Sequence, residues 1–211
     1  MKKILSSMAI GALSICALQA QTTYGLKAGM NLSKVSKLED QKFNPSYFIT
    51  GFADIPLSSQ FSIQPGVSLQ GKGAKFQSAG FNWDQTPMED YKSTLNTMSI
   101  EIPVNAVYYV PVGNGKMFIS AGPYLGYYIS GKIKDSGPNG ESEREVNFSG
   151  NDKNMNRLDA GLNFGLGYKL SNGILFQAGY GLGLSNLNAS KNSKSFSNRT
   201  INFGVGFQFW D

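Results

Sequence analysis

A long run of alternating side chains between residues 157 and 187 most constrains how this chain folds. Up to residue 169, small or polar residues alternate with a large apolar series: Leu158, Ala160, Leu162, Phe164, Leu166 and Tyr168. After a short turn at residues 171–173 the alternation resumes through Leu184. A period of two is typical of β-strands, and two such runs around a tight turn predict a β-hairpin.

The two faces of this hairpin differ in size, because one is large and apolar and the other carries Gly, Asn and Gln. In a closed barrel the outer face has room for bulk and the inner face is crowded, so this division favours apolar residues outside and polar ones inside. The runs also reach the roughly 9–11 residues that a tilted strand needs to cross a bilayer. We therefore interpret the hairpin as part of a transmembrane barrel.

The first twenty residues predict a cleaved secretory signal peptide. Lys2 and Lys3 precede an almost entirely apolar stretch from Ile4 to Leu18, and Ala20 offers a small residue for cleavage. We assign residues 1–20 to the signal peptide and residues 21–211 to an outer-membrane β-barrel domain.

Composition excludes several kinds of chemistry. The single cysteine, Cys16, lies in the predicted signal peptide, and the chain has no histidine. Disulfides, thiolate zinc sites and imidazole catalysis are therefore excluded from the mature chain. We expect no cofactor, no metal and no enzymatic activity. The 19 basic and 14 acidic residues give a mildly basic chain without the dense Lys/Arg stripe of a nucleic-acid-binding protein.

Similar alternation elsewhere predicts eight strands. They fall near residues 22–33, 47–57, 61–70, 97–110, 117–133, 157–170, 174–187 and 199–210. Short turns near Ser58, Asn114 and Asn172 alternate with long polar connections near Lys37, Trp83, Gly140 and Lys191. An even strand number with alternating short turns and long loops is typical of bacterial outer-membrane barrels. The sequence thus predicts an all-β fold, an eight-stranded antiparallel up-and-down transmembrane β-barrel.

Three local features are predicted within this pattern. Residues 71–95 and 134–154 are expected to be long loops, because their polar composition interrupts the alternation. Pro65 cannot donate a ladder hydrogen bond, so it predicts a bulge in the third strand.

Several segments carry a family resemblance. They are residues 25–33 (GLKAGMNLS), 51–57 (GFADIPL), 61–67 (FSIQPGV) with 71–73 (GKG), 100–104 (IEIPV), 121–126 (AGPYLG) and the hairpin at 157–187. Together they resemble the outer-membrane β-barrel family common in Bacteroidetes, the PorT-like group, with a small barrel of OmpX/OmpA type. The resemblance covers essentially the whole mature chain and implies an outer-membrane location. One departure is Asp211, which follows Phe209 and Trp210 where such chains often end on an aromatic residue.

Four charged residues fall on faces that are predicted to point into the barrel: Lys27, Glu101, Arg157 and Asp159. Charged groups inside a narrow lumen must be paired or hydrogen-bonded. We interpret the four as a structural polar network that fills the interior, and the alternative is a proton or ligand site.

The interior of an eight-stranded barrel is about filled by its side chains. We therefore expect a structural or surface-interaction protein that acts through its long extracellular loops, and not a general porin. Expected partners are outer-membrane lipid, lipopolysaccharide phosphates near the loop lysines, and other envelope proteins, but no nucleic acid. Two alternatives stay open: a barrel component of a secretion or surface-assembly machine, and a barrel that binds one small apolar ligand.

Overall fold

A computed structural model describes residues 22–37, 41–78, 91–137, 140–150, 152–190 and 194–209. These residues form ten strands: β1 (Thr23–Val35), β2 (Gln41–Lys42), β3 (Asn44–Pro56), β4 (Phe61–Ser78), β5 (Tyr91–Val112), β6 (Gly115–Gly137), β7 (Gly140–Glu145), β8 (Leu158–Leu170), β9 (Ile174–Gly183) and β10 (Asn198–Gln208). Among the described residues, no helix is long and apolar enough to cross a membrane.

Eight of the ten strands form a closed antiparallel ring. Its order is β1-β3-β4-β5-β6-β8-β9-β10, and β10 closes the ring by pairing with β1 from Gly25↔Gln208 to Val35↔Asn198. The two remaining strands extend the ring at one end, where β2 pairs with β4 and β7 pairs with β6. Each ring strand pairs with the ring strands before and after it, so the predicted eight-stranded up-and-down barrel is confirmed.

The two faces of the ring follow the predicted alternation. Large apolar side chains point outward and are exposed, as at Ile119 (63%) and Leu166 (59%). Polar side chains point into the lumen and are buried, as at Asn31 and Ser99. Because lipid replaces water around the outer face, this arrangement is stable in a membrane and not in water.

The two ends of the ring differ. One end, which we call the turn end, holds the short connections at residues 57–60, 113–114 and 171–173 together with the first and last ring residues, Thr23 and Gln208. Gly113 and Gly173 have positive φ values of 57° and 89° in two of these turns, a conformation that glycine adopts without strain. The opposite end, which we call the loop end, holds the long connections, β2 and β7.

The loop predicted at residues 71–95 is wrong over most of its length. β4 continues to Ser78 and β5 begins at Tyr91, and the two strands pair from Gly71↔Met98 to Ser78↔Tyr91. The outward face of this ladder carries polar residues, as at the pairs Lys75↔Thr94 and Gln77↔Lys92, so the apolar alternation stops while the strand does not. The remaining loop residues, including Trp83, lie outside the described residues.

The loop predicted at residues 134–154 is wrong in its first half. β6 continues to Gly137, and β7 folds back on it with the register Lys132↔Glu145 to Gly137↔Gly140. All six residues of β7 are exposed, so no apolar face marked this strand in the sequence. Among the described residues of this segment, the irregular part begins after Glu145.

The bulge predicted at Pro65 is also wrong. The pairs Pro65↔Val104 and Ser68↔Glu101 keep one register with β5, and the pairing with β3 skips Pro65 and resumes without a shift. Pro65 has no N–H to donate, and it lies at a position where β4 is not paired with β3. The irregularity lies instead between Met98 and Ser99 on β5.

The predicted signal peptide, residues 1–20, lies outside the described residues, as do Trp210 and Asp211. The signal peptide and the domain boundary at residue 21 therefore stay predictions.

Candidate functional site in the barrel lumen

A buried ion-pair network occupies the lumen toward the loop end. Lys72 of β4 places its Nζ 2.5 Å from Oε1 of Glu101 on β5 and 3.4 Å from Oδ2 of Asp159 on β8. All three side chains are almost fully buried, with exposed fractions of 5%, 4% and 0%. Ser99 Oγ donates to Glu101 Oε1 at 2.9 Å. One cation therefore lies between two carboxylates in a low-dielectric interior, where attraction is strong and desolvation is costly.

Asp159 is the most connected residue of this network. Its Oδ2 accepts hydrogen bonds from Tyr124 Oη at 3.2 Å, Tyr128 Oη at 3.4 Å and Asn198 Nδ2 at 2.8 Å. Its Oδ1 accepts from Ser185 Oγ at 2.8 Å. Ser185 and Asn198 stand at the two ends of the long connection between β9 and β10, so this carboxylate fixes both ends of that connection to the barrel.

An apolar cluster, which we call the mouth cluster, covers the network at the loop end. It consists of Tyr128, Val146, Phe148, Met155 and Leu187. Phe148 stacks on Tyr128 of β6 with ring centroids 5.7 Å apart. An isolated bridge, Met155↔Asn188, joins the two long connections that supply the other members of the cluster. The mouth cluster therefore separates the ion pairs from the solvent at this end.

A second polar network lies toward the turn end around Asp54 of β3. Asp54 Oδ1 accepts from Ser62 Oγ at 2.5 Å and from Gln64 Nε2 at 3.2 Å, and its Oδ2 accepts from Tyr109 Oη at 3.2 Å and Gln208 Nε2 at 3.1 Å. All four donors are neutral groups. Lys169 Nζ donates to Gln208 Oε1 at 2.9 Å. Gln208 therefore links Lys169 to the Asp54 carboxylate.

Between the two networks lies a cavity of about 60 Å³. All eight ring strands contribute to its wall. Its polar lining includes Lys27, Gln70, Asn105, Asn163, Gln177 and Asn202. No carboxylate is among the described residues that line it.

The structure brings together two of the four site residues predicted from the sequence. Glu101 and Asp159 meet at Lys72, whereas Lys27 faces the central cavity and stacks over the Phe52 ring, 5.2 Å from its centroid. Arg157 lies apart from both.

Arg157 immediately precedes β8 at the loop end. Its Nη1 donates to Tyr127 Oη at 3.1 Å, and its guanidinium carbon lies 5.2 Å from the centroid of the Phe148 ring. Among the described residues, its buried Nε has no hydrogen-bond partner. The side chain therefore packs against the mouth cluster, and its described contacts are aromatic.

Lys72 and Asp54 were missed by the sequence reasoning. Lys72 was placed in the predicted loop at 71–95, although one more step of the alternation from Ser68 and Gln70 would have put it on the inner face. The same parity in β3, where Phe48 and Thr50 face inward, would have identified Asp54. Their partners across the lumen could not be identified, because alternation gives the face of a residue but not its height in a tilted barrel.

The extended hairpin of β6 and β7 carries an exposed group of charges. Lys132 and Lys134 lie 2.6 and 3.3 Å from carboxylate oxygens of Glu143, and Arg144 lies 3.4 Å from Asp135. The hydrogen bond from Lys132, with that from Lys134, lowers the pKa of the Glu143 carboxyl below its ordinary value. In the part of the chain that the structure describes, no group of three or more His, Cys, Asp or Glu side chains could hold a metal ion.

The family of the chain follows from its match to a known domain. Residues 19–189 match the family model of the outer membrane protein beta-barrel domain. The chain belongs to this family. It is accordingly a small β-barrel protein of the bacterial outer membrane, and the closed ring with its apolar outer face agrees with this location. No curated protein matched the chain.

Several solved barrels are similar to this chain at low identity. Ail, the attachment invasion locus protein of Yersinia pestis, solved in complex with the heparin analogue sucrose octasulfate, is 14% identical with a TM-score of 0.41, and the match covers 89% of this chain and 99% of Ail. Neisserial surface protein A is 13% identical with a TM-score of 0.43, covering 88% and 97%. OprG of Pseudomonas aeruginosa is 11% identical with a TM-score of 0.41, covering 90% and 96%. These similarities are too low to transfer a function.

Proposed function

We propose that this outer-membrane barrel is a non-enzymatic surface-interaction protein that does not conduct solutes. The observation that carries the proposal is the mouth cluster, which lies over the buried network of Lys72, Glu101 and Asp159. A solute that crossed the barrel would have to displace apolar packing, break ion pairs in the lumen and then pass the Asp54 network. A lumen blocked in three layers supports a structural role for the barrel itself.

The interaction surface in this proposal is the loop end, facing outward from the cell. Short turns lie on the periplasmic side of bacterial outer-membrane barrels and long connections outside. The β6–β7 hairpin adds an exposed charged surface at that end, and Lys132, Lys134 and Glu143 are paired within it. Lys37, whose Nζ donates to Ser195 Oγ at 2.9 Å, and Lys194 present positive charge there for lipopolysaccharide phosphates.

A conductance measurement tests the closed barrel. Purified protein in a planar lipid bilayer should give no steady steps of porin size. As a matched control, Phe148→Asp should loosen the mouth cluster while the ring stays intact, which circular dichroism and the heat-modifiable mobility of the folded barrel would check. Reproducible porin-size steps from the unmodified protein would overturn the proposal.

Epitope insertions test the orientation. A tag inserted after Asn139 should be reached by antibody on intact cells, whereas tags at Asn114 and Asn172 should be reached only after the envelope is opened. The reverse pattern would place the loop end in the periplasm.

The finer family assignment, to the PorT-like group of Bacteroidetes, belongs to the same proposal and allows a second role in a secretion or surface-assembly machine. Cross-linking on intact cells followed by purification separates the two roles. Recovery with lipopolysaccharide alone favours the lone barrel, and stoichiometric recovery with other envelope proteins favours the machine. The polar lining of the central cavity argues against the alternative of an apolar ligand in the lumen.

A further inference from the structure

Lys27 has no ionic partner in the wall of the cavity that it faces. Among the described residues, the ion pairs of the lumen are the two of Lys72, and neither includes Lys27. Glu101 and Asp159 form ion pairs with Lys72, and Asp54 accepts hydrogen bonds from four neutral donors. None of these three carboxylates lines the cavity.

Physical chemistry limits how such an amine can persist. An ammonium inside a protein must be hydrated, gain a counter-charge or give up its proton, because isolated charge is costly in a medium of low dielectric. The ring of Phe52, 5.2 Å from Nζ, offers a favourable cation–π contact but no negative charge. A mobile anion would supply the missing counter-charge.

The cavity wall is chemically suited to an anion. Lys27 is donor-only. The side-chain amides of Asn105, Asn163 and Asn202 also face the space, and an amide can present its NH₂ group or its carbonyl by turning about its last side-chain bond. Asn105 Oδ1 is buried without a hydrogen-bond partner among the described residues, so turning this amide would break no described hydrogen bond of its oxygen. With an anion bound beside Lys27 Nζ, the orientation that turns the amide NH₂ group toward the cavity is favoured.

The size of the cavity limits the ligand. A single water needs about 10–15 Å³ of such volume, so about 60 Å³ holds roughly four to six waters. A halide ion is only slightly larger than a water molecule, whereas a sugar acid is several times larger. We propose that Lys27 and the amides of the central cavity form an internal site for one small monovalent anion of halide size. This inference does not depend on what the loop end binds.

Reversible unfolding in matched salts tests the site. The protein is refolded and titrated with urea in lipid vesicles containing sodium chloride or sodium gluconate at equal ionic strength, so that general screening is held constant. Above the dissociation constant of the site, each tenfold rise in chloride should raise the ratio of folded to unfolded protein about tenfold, while gluconate has no such effect. Equal stability in the two salts at every concentration would overturn the proposal.

Two lysine variants assign the effect. Lys27→Met should abolish the chloride dependence, and Lys169→Met, which removes another lumen lysine outside the cavity, should retain it. A chloride dependence that persists in Lys27→Met would overturn the site. If that variant does not fold, crystals of the unmodified protein grown in sodium bromide decide: an anomalous bromide peak beside Lys27 Nζ supports the site, and its absence overturns it.

Discussion

The two ends of the lumen hold buried carboxylates in different ways. Toward the loop end, Glu101 and Asp159 share the ammonium of Lys72 beneath the mouth cluster. Toward the turn end, Asp54 has no ion pair among the described residues and is held by four neutral donors. Two carboxylates that lie close together can both stay ionised beside a cation, whereas without one their mutual repulsion favours the protonated form of one of them. A single carboxylate can be stabilised by hydrogen bonds alone.

The largest effect should come from removing the shared cation. Lys72→Met keeps most of the length of the side chain but leaves Glu101 and Asp159 buried without a counter-charge. We expect the free energy of unfolding to fall by about 3–5 kcal/mol. Urea titrations in lipid vesicles measure this loss. Lys132→Met is the control, because its partner Glu143 is exposed, and it should cause no measurable change. Equal tolerance of both changes would mean that the lumen is hydrated and its charges are screened.

The substitution Asp54→Asn should lower the free energy of unfolding by about 1–3 kcal/mol. Each oxygen of Asp54 accepts two hydrogen bonds. Whichever way the new amide turns, its NH₂ group would face two donors and leave at least one unsatisfied. The same titration measures the loss, and an unchanged midpoint would show that water replaces these donors.

The substitution Asp159→Asn should cost less, about 1 kcal/mol or below. The amide oxygen can take the place of Oδ2 with its several donors, and the NH₂ group then faces only Ser185 Oγ, which can accept. Lys72 and Glu101 remain a balanced pair. A larger loss in the free energy of unfolding for Asp159→Asn than for Asp54→Asn would contradict this expectation. The negative charge of Asp159 would then matter more for stability than hydrogen-bond geometry does.

Arg157→Ala should cost only about 0.5–1 kcal/mol, the worth of a partly exposed cation–π contact. A loss as large as that of Lys72→Met would show that Arg157 pairs with a lumen carboxylate. This measurement decides whether the loop-end network has one cation or two.

The smallest effect concerns the exposed hairpin above the loop end. Since the pKa of Glu143 is lowered in the folded state, its stabilising contacts are fully present above the ordinary value and are lost as pH falls through the lower folded value. Amide hydrogen exchange, corrected for its intrinsic pH dependence, should show lower protection in β7 at about pH 3 than at about pH 6. Glu143→Gln should remove this pH dependence of protection. If the pH dependence persists in the variant, the ion pair of Asp135 and Arg144 is its source instead.

The ring was predictable from the sequence, but its interior and its extensions were predictable only in part. Every second residue of a lipid-facing strand must be apolar, so alternation such as Leu162, Phe164 and Leu166 identifies the strand. In the extensions of β4 to β7 the outward face is polar, so the apolar face that identifies a lipid-facing strand is missing and these segments resembled loops. Alternation placed Glu101 and Asp159 correctly on the inner face, but it misjudged Arg157, whose long side chain at the edge of β8 turns to the aromatic rings at the mouth.

The Lys72 network also has a consequence for how the barrel assembles. Its three charges come from β4, β5 and β8, and Lys72 and Asp159 are 87 positions apart in the chain. β4 and β8 are not neighbours in the ring, so these residues meet only when the sheet has curved far enough to bring its walls together. Contacts of such long sequence separation form late, because the entropy of closing the intervening chain is lost first. Dehydration of these charges is thus coupled to ring closure, and a sheet that inserts without closing would expose them to lipid, which makes an incompletely assembled barrel unstable in the membrane.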